Sequence, residues 1–323
     1  MKYHFNEKTG LNISAIAAGT WGVGAAGWGK VDDSESIEAL RYMVDHGVNL
    51  IDTAPVYGLG HSEEVVGKAL KGIRDKVILV SKCGITRKKA TGFGPGSGPV
   101  RDSSKAMIMK QVEESLLRLD TDHLDVLLIH WPDINTPFSE TVEALNTLKK
   151  QGKIRFSGIC NFEADQIKEF NDLGGLDFVQ YQFSMVENKW LDILRNYHAS
   201  GIATMAYGPL GGGILSGKFR ELPDFAADDM RLNFYPFFKE PVFSKCQELL
   251  KVMDELAADR SVKVSEVAIN WVCDHEAVTT ALLGVTKLRH AEENLKAMEW
   301  SLSQNERKLL DDKAEEVIEL LRK

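Results

Sequence analysis

The chain has 323 residues, 44% hydrophobic and 27% charged, and its 39 Lys and Arg against 47 Asp and Glu leave a formal net charge of −8. That length suits one α/β barrel or two ordinary domains, and the composition is that of a globular chain rather than a low-complexity one. The acidic balance argues against a nucleic-acid surface, no run approaches the roughly 18 apolar residues of a membrane span, and MKYHFNEKTG lacks the apolar core of a secretory signal.

In chain order, residues 2–14 alternate as strands do around the turn Glu7-Lys8-Thr9-Gly10 and predict a short hairpin that caps the bottom of the fold. Strands are then predicted near 14–19, 48–52, 77–82, 124–130, 154–160, 177–180, 202–207 and 279–284. Helices are predicted between them, near 34–46, 62–71, 103–118, 139–151, 163–172, 188–200, 243–259 and 264–274, with more near 290–297 and 303–321. The first helix shows the reasoning: Asp32 can cap it, Glu35 sits three residues on, and Ile37, Leu40, Met43 and Val44 share a face before Gly47 stops it. Eight strand signals alternating with helices predict an α/β fold, a (β/α)8 TIM barrel with an N-terminal β-hairpin and extra helices, over 1–323 as a single domain.

Two stretches break the rhythm. Residues 84–102 are rich in Gly, Pro and Lys, and 208–242 begin with a Gly-rich turn. Long insertions in a compact fold commonly form binding loops or lids, and both would sit on the strand-end face. The four cysteines, Cys83, Cys160, Cys246 and Cys273, are scattered without a CxxC pair, which fits a reducing, cytoplasmic setting.

Six apolar runs each end on a polar residue: VNLI at Asp52, VILVS at Lys82, DVLLI at His130, IRFSGIC at Asn161, DFV at Gln180 and IATMA at Tyr207. In a parallel barrel all strand C-termini open onto one face, so these residues are expected to meet there. Asp52, Tyr57, Lys82 and His130 then suggest a chemistry. A tyrosine ionises near pH ~10 and is a poor proton switch at neutrality; an adjacent ammonium stabilises its phenolate, and a carboxylate keeps that ammonium charged. A histidine can fix the angle of a carbonyl oxygen. The set suits proton delivery to a carbonyl while a nicotinamide supplies hydride.

The runs IDTAPVYGLGHSEEVVGKAL, VSKCG, LIHWPD, GKIRFSGICNF, VQYQFS, AYGPLGGGILSGK and GVTKLRHAEENL, in that order from about residue 12 to 297, resemble the aldo-keto reductases, especially the bacterial branches acting on sugars, polyols and small aldehydes. The resemblance implies a barrel that binds NADP(H), favoured here, or NAD(H), without a Rossmann domain. It implies Tyr57 as general acid and base, Lys82 lowering its pKa, Asp52 paired to Lys82, and His130 orienting the substrate carbonyl. Asn161 and Gln180 would hold the nicotinamide carboxamide and Tyr207 would stack on its ring. The 210–213 turn, with Pro209, Leu210, Gly211, Gly213 and Lys218, would pass over the pyrophosphate. Residues 284–294 would hold the adenosine end through Gly284, Thr286, Lys287, His290, Glu293 and Asn294, with Arg289 nearby. Trp21 and Trp131, with Trp28, are expected to wall the substrate side. This chain departs from strongly NADPH-selective members at Gly284-Val285 and His290, where Lys-Ser and Arg are common. It also carries Cys160 for Ser and Phe183-Ser184 for Tyr-Asn.

Other readings are weaker. The segment GVGAAG at 22–27 matches a dinucleotide fingerprint formally, but WGKVDDSE intervenes before the helix that the fingerprint must open. No HxH, HExxH or close carboxylate pair suggests a metal, and no GxSxG elbow suggests a hydrolase. The expected partner is a small-molecule carbonyl or alcohol, with no nucleic acid or membrane and the oligomeric state open. The rival is a cofactor-binding regulatory or redox-sensing subunit of the potassium-channel β type. With about a dozen residues before the first barrel strand, a free-standing enzyme is the stronger expectation.

Overall fold

A computed structural model describes residues 1–25, 30–86, 99–226, 229 and 231–322, with the backbone alone for Asn233. Strands β1 (Tyr3–Asn6) and β2 (Leu11–Ser14) form an antiparallel hairpin in which His4 faces Ile13. Strand β3 (Ile16–Gly19) starts the barrel, followed by β4 (Leu50–Asp52) and β5 (Ile78–Cys83). The short strands β6 (Ile85–Thr86) and β7 (Val100–Arg101) pair with each other outside it. The barrel continues with β8 (Leu124–Ile129), β9 (Ile154–Cys160), β10 (Phe178–Gln182), β11 (Ala203–Tyr207) and β12 (Thr280–Gly284). All eight barrel strands are parallel, and β12 returns to β3, with Gly284 opposite Gly19, to close the ring.

Helices α1 (Asp33–Asp45), α2 (His61–Leu70), α3 (Lys105–Leu119), α4 (Phe138–Lys150), α5 (Ala164–Asp172) and α6 (Leu191–Ala199) follow successive strands. After β11 come the single turn α7 (Arg231–Phe234), then α8 (Val242–Arg260) and α9 (Val264–Cys273); α10 (Leu288–Lys296) and α11 (Gln304–Leu321) complete the chain. Asp32 caps α1 as predicted, its carboxylate accepting from the Ser34 and Glu35 amides at 2.8 and 3.0 Å. Helix α6 starts three residues later than predicted. Glu187 spends its side chain on a turn, accepting from the Lys189 amide at 2.9 Å, and such local bonds compete with a helical start. Among the described residues no helix is long and apolar enough to cross a membrane.

The barrel interior is packed by one apolar cluster containing Ala17, Leu50, Ile78, Val80, Val126, Leu128, Phe178, Ala203, Met205 and Leu282. Ile13 of the hairpin joins this cluster, so the N-terminal end is plugged and the C-terminal end is left for chemistry. Outside the ring, the other strand faces and the helices share a second core. Each large aliphatic side chain buried there contributes about 1.5–3 kcal/mol. Residues 227, 228 and 230 of the 208–242 segment lie outside the described residues; the rest of it carries secondary structure. It contains tight turns at Gly211–Ser216 and Pro236–Phe238, and Phe219, Phe225 and Phe238 pack edge to face at 5.0–5.5 Å. Most of the 84–102 loop, residues 87–98, lies outside the described residues, as do Trp28 and the last two residues of GVGAAG.

Candidate functional site

Strand alternation decides which side chains enter the barrel. Leu50–Asp52, Ile78–Val80–Lys82, Val126–Leu128–His130, Phe178–Gln180 and Ala203–Met205–Tyr207 each run inward with period two. Each of these inward rows therefore carries a polar residue toward its C-terminal end. On β9 the same parity selects Cys160, not Asn161. Asn161 reaches the site by taking a left-handed backbone conformation, φ +63°, which asparagine tolerates better than most residues. Such conformations in non-glycine residues cluster at functional sites.

Lys82 is 1% exposed, and its ammonium donates to Asp52 Oδ1 at 2.6 Å, to the Thr53 carbonyl at 3.1 Å and to the Tyr57 hydroxyl at 3.2 Å. Gln180 Nε2 donates to the other carboxylate oxygen of Asp52 at 2.8 Å. The Tyr57 and His130 rings meet edge to face at 5.9 Å. Asn161 Nδ2 donates to the His130 carbonyl at 3.2 Å and to Cys160 Sγ at 3.0 Å, and its Oδ1 accepts from the Tyr207 hydroxyl at 2.9 Å. The Cys160 thiol lies 3.6 Å from Gln180 Oε1. A sulfur thus bridges the two amides.

Burial dominates the electrostatics. It pushes the Tyr57 hydroxyl up to about 12, and the nearby Lys82 charge recovers only part of that rise. The sequence predicts a net lowering by Lys82; in the folded protein desolvation outweighs it. Burial alone would lower Lys82, but Asp52, then Tyr57, hold its pKa above the ordinary lysine value. Lys82 is therefore a permanent cation. All four cysteines are unpaired and buried, and burial raises each thiol, that of Cys246 to about 12.

Tyr57 is held by an unusual turn. Gly58, Leu59 and Gly60 all have positive φ, at 63°, 56° and 98°, before α2 begins at His61. For Leu59 this conformation costs on the order of 1–3 kcal/mol. The 22–24 segment packs directly on the turn. No dinucleotide fingerprint forms there, because α1 begins only at Asp33.

A cavity of about 390 Å³ opens above these groups. It is lined by Asp52, Tyr57, His130, Asn161, Gln180 and Tyr207, by Trp21 and Trp131, and by Pro209, Leu210, Gly213 and Gly284. Trp21 stacks on Tyr57 at 6.2 Å, and Arg101 lies over the Trp131 ring at 4.9 Å. Gly211, Lys218, Thr286, Lys287, His290, Glu293 and Asn294 do not line it. Gly211 is buried beneath the turn, and Lys218 sits over the Phe219 ring at 5.3 Å. Thr286 pairs with His290 at 3.3 Å, and Asn294 donates to the Gly284 carbonyl at 3.4 Å. Lys287 approaches Glu35 at 3.7 Å, and Glu293 takes both Lys263 at 2.5 Å and Arg289 at 3.6 Å. Burial, then Arg289, lowers the His290 pKa. Sequence reasoning missed Phe234 and Tyr235, which also line the cavity. A Cβ built on Gly212 would lie 2.6 Å from the Tyr235 ring, so the two are in intimate contact. No periodicity signals that contact.

Eight parallel strands with a half-buried tyrosine and a buried lysine and aspartate at their C-terminal mouth define a barrel of the oxidoreductase kind. The chain belongs to the Aldo/keto reductase family, whose sequence model matches residues 15–315. It is 37% identical to the aldo-keto reductase YhdN of Bacillus subtilis over 95% of this chain and 92% of that one. It is 32% identical to the NADH-specific methylglyoxal reductase of Escherichia coli over 95% and 96%. Among solved structures, the glycerol dehydrogenase AKR11B4 of Gluconobacter oxydans superposes with a TM-score of 0.85 at 36% identity, over 95% of this chain and 93% of that one.

Proposed function

We propose that the protein is an NADP(H)-preferring aldo-keto reductase that interconverts a small polar aldehyde or ketone, of the sugar, polyol or short-aldehyde type, and its alcohol. The observation carrying this is the Lys82 ammonium placed between Asp52 and the Tyr57 hydroxyl, at 2.6 and 3.2 Å, directly behind these two residues where they line a cavity large enough for a small substrate. The names of the relatives, one a methylglyoxal reductase and one a glycerol dehydrogenase, support this substrate range.

The residues present fit a nicotinamide. Asn161 and Gln180 offer amide donors and acceptors matched to a carboxamide, and the Tyr207 ring offers an aromatic face. A Cβ built on Gly284 would meet nothing within 4 Å among the described residues, which leaves the backbone at that edge open to a ligand. When bound in reduced form, the nicotinamide supplies a hydride to the carbonyl carbon. Tyr57 donates its proton to the carbonyl oxygen as charge develops there. Lys82 faces the resulting phenolate, and Asp52 keeps Lys82 oriented and charged. His130 holds the carbonyl oxygen in line, and Trp21 and Trp131 shield the reacting atoms from water. The preference for NADP(H) rests on Lys287 and Arg289, two cations in the segment expected to meet the adenosine end, one either side of the α10 N-terminus.

Fluorescence titration with NADPH and NADH, then stopped-flow mixing with an aldehyde and sugar panel, tests the reading. Fast oxidation of bound cofactor by one substrate class supports it. Binding with trace turnover for every substrate in both directions moves the protein to the regulatory-subunit class, and failure to bind either cofactor rejects both.

A further inference from the structure

Behind the cavity lies a second buried polar cluster that the proposed chemistry leaves unused. Glu63, in the first turn of α2, is 0% exposed. Its carboxylate accepts from the Ser81 hydroxyl at 2.6 Å and from Arg118 Nε at 2.7 Å. Ser62 beside it donates to Thr20 Oγ1 at 2.7 Å and lies 3.0 Å from Thr53 Oγ1, while Thr20 donates to the Asp52 carbonyl at 2.8 Å. The first turn of α2 is thereby bonded to residues at the ends of β3, β4 and β5.

The position of Ser81 gives the cluster its meaning. It precedes Lys82 on β5, so strand alternation sends Lys82 into the barrel and Ser81 out toward α2. Glu63 follows Tyr57 by six residues, across the left-handed turn. One carboxylate therefore grips the strand carrying Lys82 and the helix whose entry carries Tyr57. Arg118 completes the grip from α3: a Cβ built on Gly60 would lie 2.6 Å from Arg118 Cδ, so the arginine rests on the end of the turn. Apolar side chains of equal volume would hold α2, α3 and β5 together at least as firmly, since a buried ion pair gains little net cohesion. What directional bonds add is a fixed register between the strand and the turn.

We propose that Glu63, acting with Ser81 and Arg118, is a positioning residue that sets the distance between Lys82 Nζ and the Tyr57 hydroxyl. This rests on the proposed roles of Tyr57 and Lys82 in proton transfer. The test is to label the seven tyrosines with 13C at Cζ, assign Tyr57 by its absence in Tyr57→Phe, and follow its resonance in the unliganded protein at neutral pH. Lys82→Met supplies the shift expected when the lysine no longer reaches the hydroxyl. Glu63→Gln and Ser81→Ala should each move the Tyr57 resonance in that direction and lower kcat roughly ten- to a hundredfold, with cofactor Kd unchanged. If the resonance stays in place in both variants while the thermal midpoint falls, the cluster is merely structural and the proposal is overturned. Should Glu63→Gln fail to fold, Ser81→Ala decides, because it leaves the Glu63–Arg118 pair in place. Should the wild type reduce no carbonyl, the proposed function fails, while the resonance still decides the positioning.

Discussion

Gly24 and Gly58 meet backbone to backbone beside the candidate site: a Cβ built on Gly24 would lie 2.7 Å from the Gly58 nitrogen and 2.6 Å from the carbonyl carbon of Tyr57. From the other side, a Cβ on Gly58 would lie 2.9 Å from Gly24 Cα. Neither backbone can yield without moving Tyr57. Gly24 of the GVGAAG run thus serves close packing against the tyrosine turn.

Gly24→Ala should therefore displace the turn, at a stability cost of about 1–3 kcal/mol. Turnover should fall more than cofactor affinity does. Gly22→Ala is the control, because among the described residues its Cβ would meet only the Thr286 methyl, at 3.1 Å. Thermal midpoints and kcat measured side by side check this; equal effects of the two substitutions would contradict it.

Lys82→Met should slow the hydride-transfer step by about 10²–10⁴-fold and leave cofactor Kd nearly unchanged, since Lys82 is not among the residues lining the cavity. It also strips Asp52 of its ammonium, leaving that carboxylate bonded to Gln180. A loss of about 3–5 kcal/mol in stability is expected. Single-turnover kinetics and denaturant titration measure the two effects separately.

The ionisation of Tyr57 fixes a pH dependence. With its pKa raised to about 12, the hydroxyl stays protonated throughout the neutral range, so its capacity to donate a proton is lost only as pH climbs through the raised value. Reductive kcat/KM should show no Tyr57 limb near neutrality. Oxidation needs the phenolate and should rise about tenfold per pH unit over the same range. Profiles recorded in both directions check the assignment, and Tyr57→Phe should flatten the oxidative slope.

His275 provides an acid-stability test away from the site. Burial, then Arg307 and Arg195, lower its pKa to about 4 from 6.5, and its Nδ1 accepts from the Ala277 amide at 3.1 Å. Between those values the unfolded chain binds the extra proton, so stability is complete above the unfolded pKa and falls as pH drops toward the folded one. The loss should be at most about 3–4 kcal/mol. His275→Asn should be less acid-labile over that window, as read from thermal midpoints against pH.

Cofactor choice can be read at α10. Replacing both Lys287 and Arg289 with Ala should weaken NADPH by about tenfold or more, the worth of a charge-assisted phosphate contact, with little change for NADH. Equal losses for both cofactors would remove these cations from a role at the 2′-phosphate.

The barrel and the chain positions of the polar groups at its mouth are legible from the residues alone. Strands buried on both faces must be apolar throughout, so runs such as DVLLI before His130 and VILVS before Lys82 announce themselves and their ends. The cap of α1 at Asp32 and the hairpin plug are legible in the same way, because these depend on neighbours within a few residues. Features set by distant partners emerge only on folding. Period-two parity brought Cys160 inward, and a left-handed backbone then swung Asn161 in beside it. Desolvation, which depends on the whole enclosing barrel, raised the Tyr57 pKa despite the lysine. Tyr235 came to lie on Gly212, and Glu63 joined Ser81 to Arg118, through contacts between segments far apart in the chain. Local pattern encodes local periodicity; the pairing of remote side chains appears only once the ring has closed.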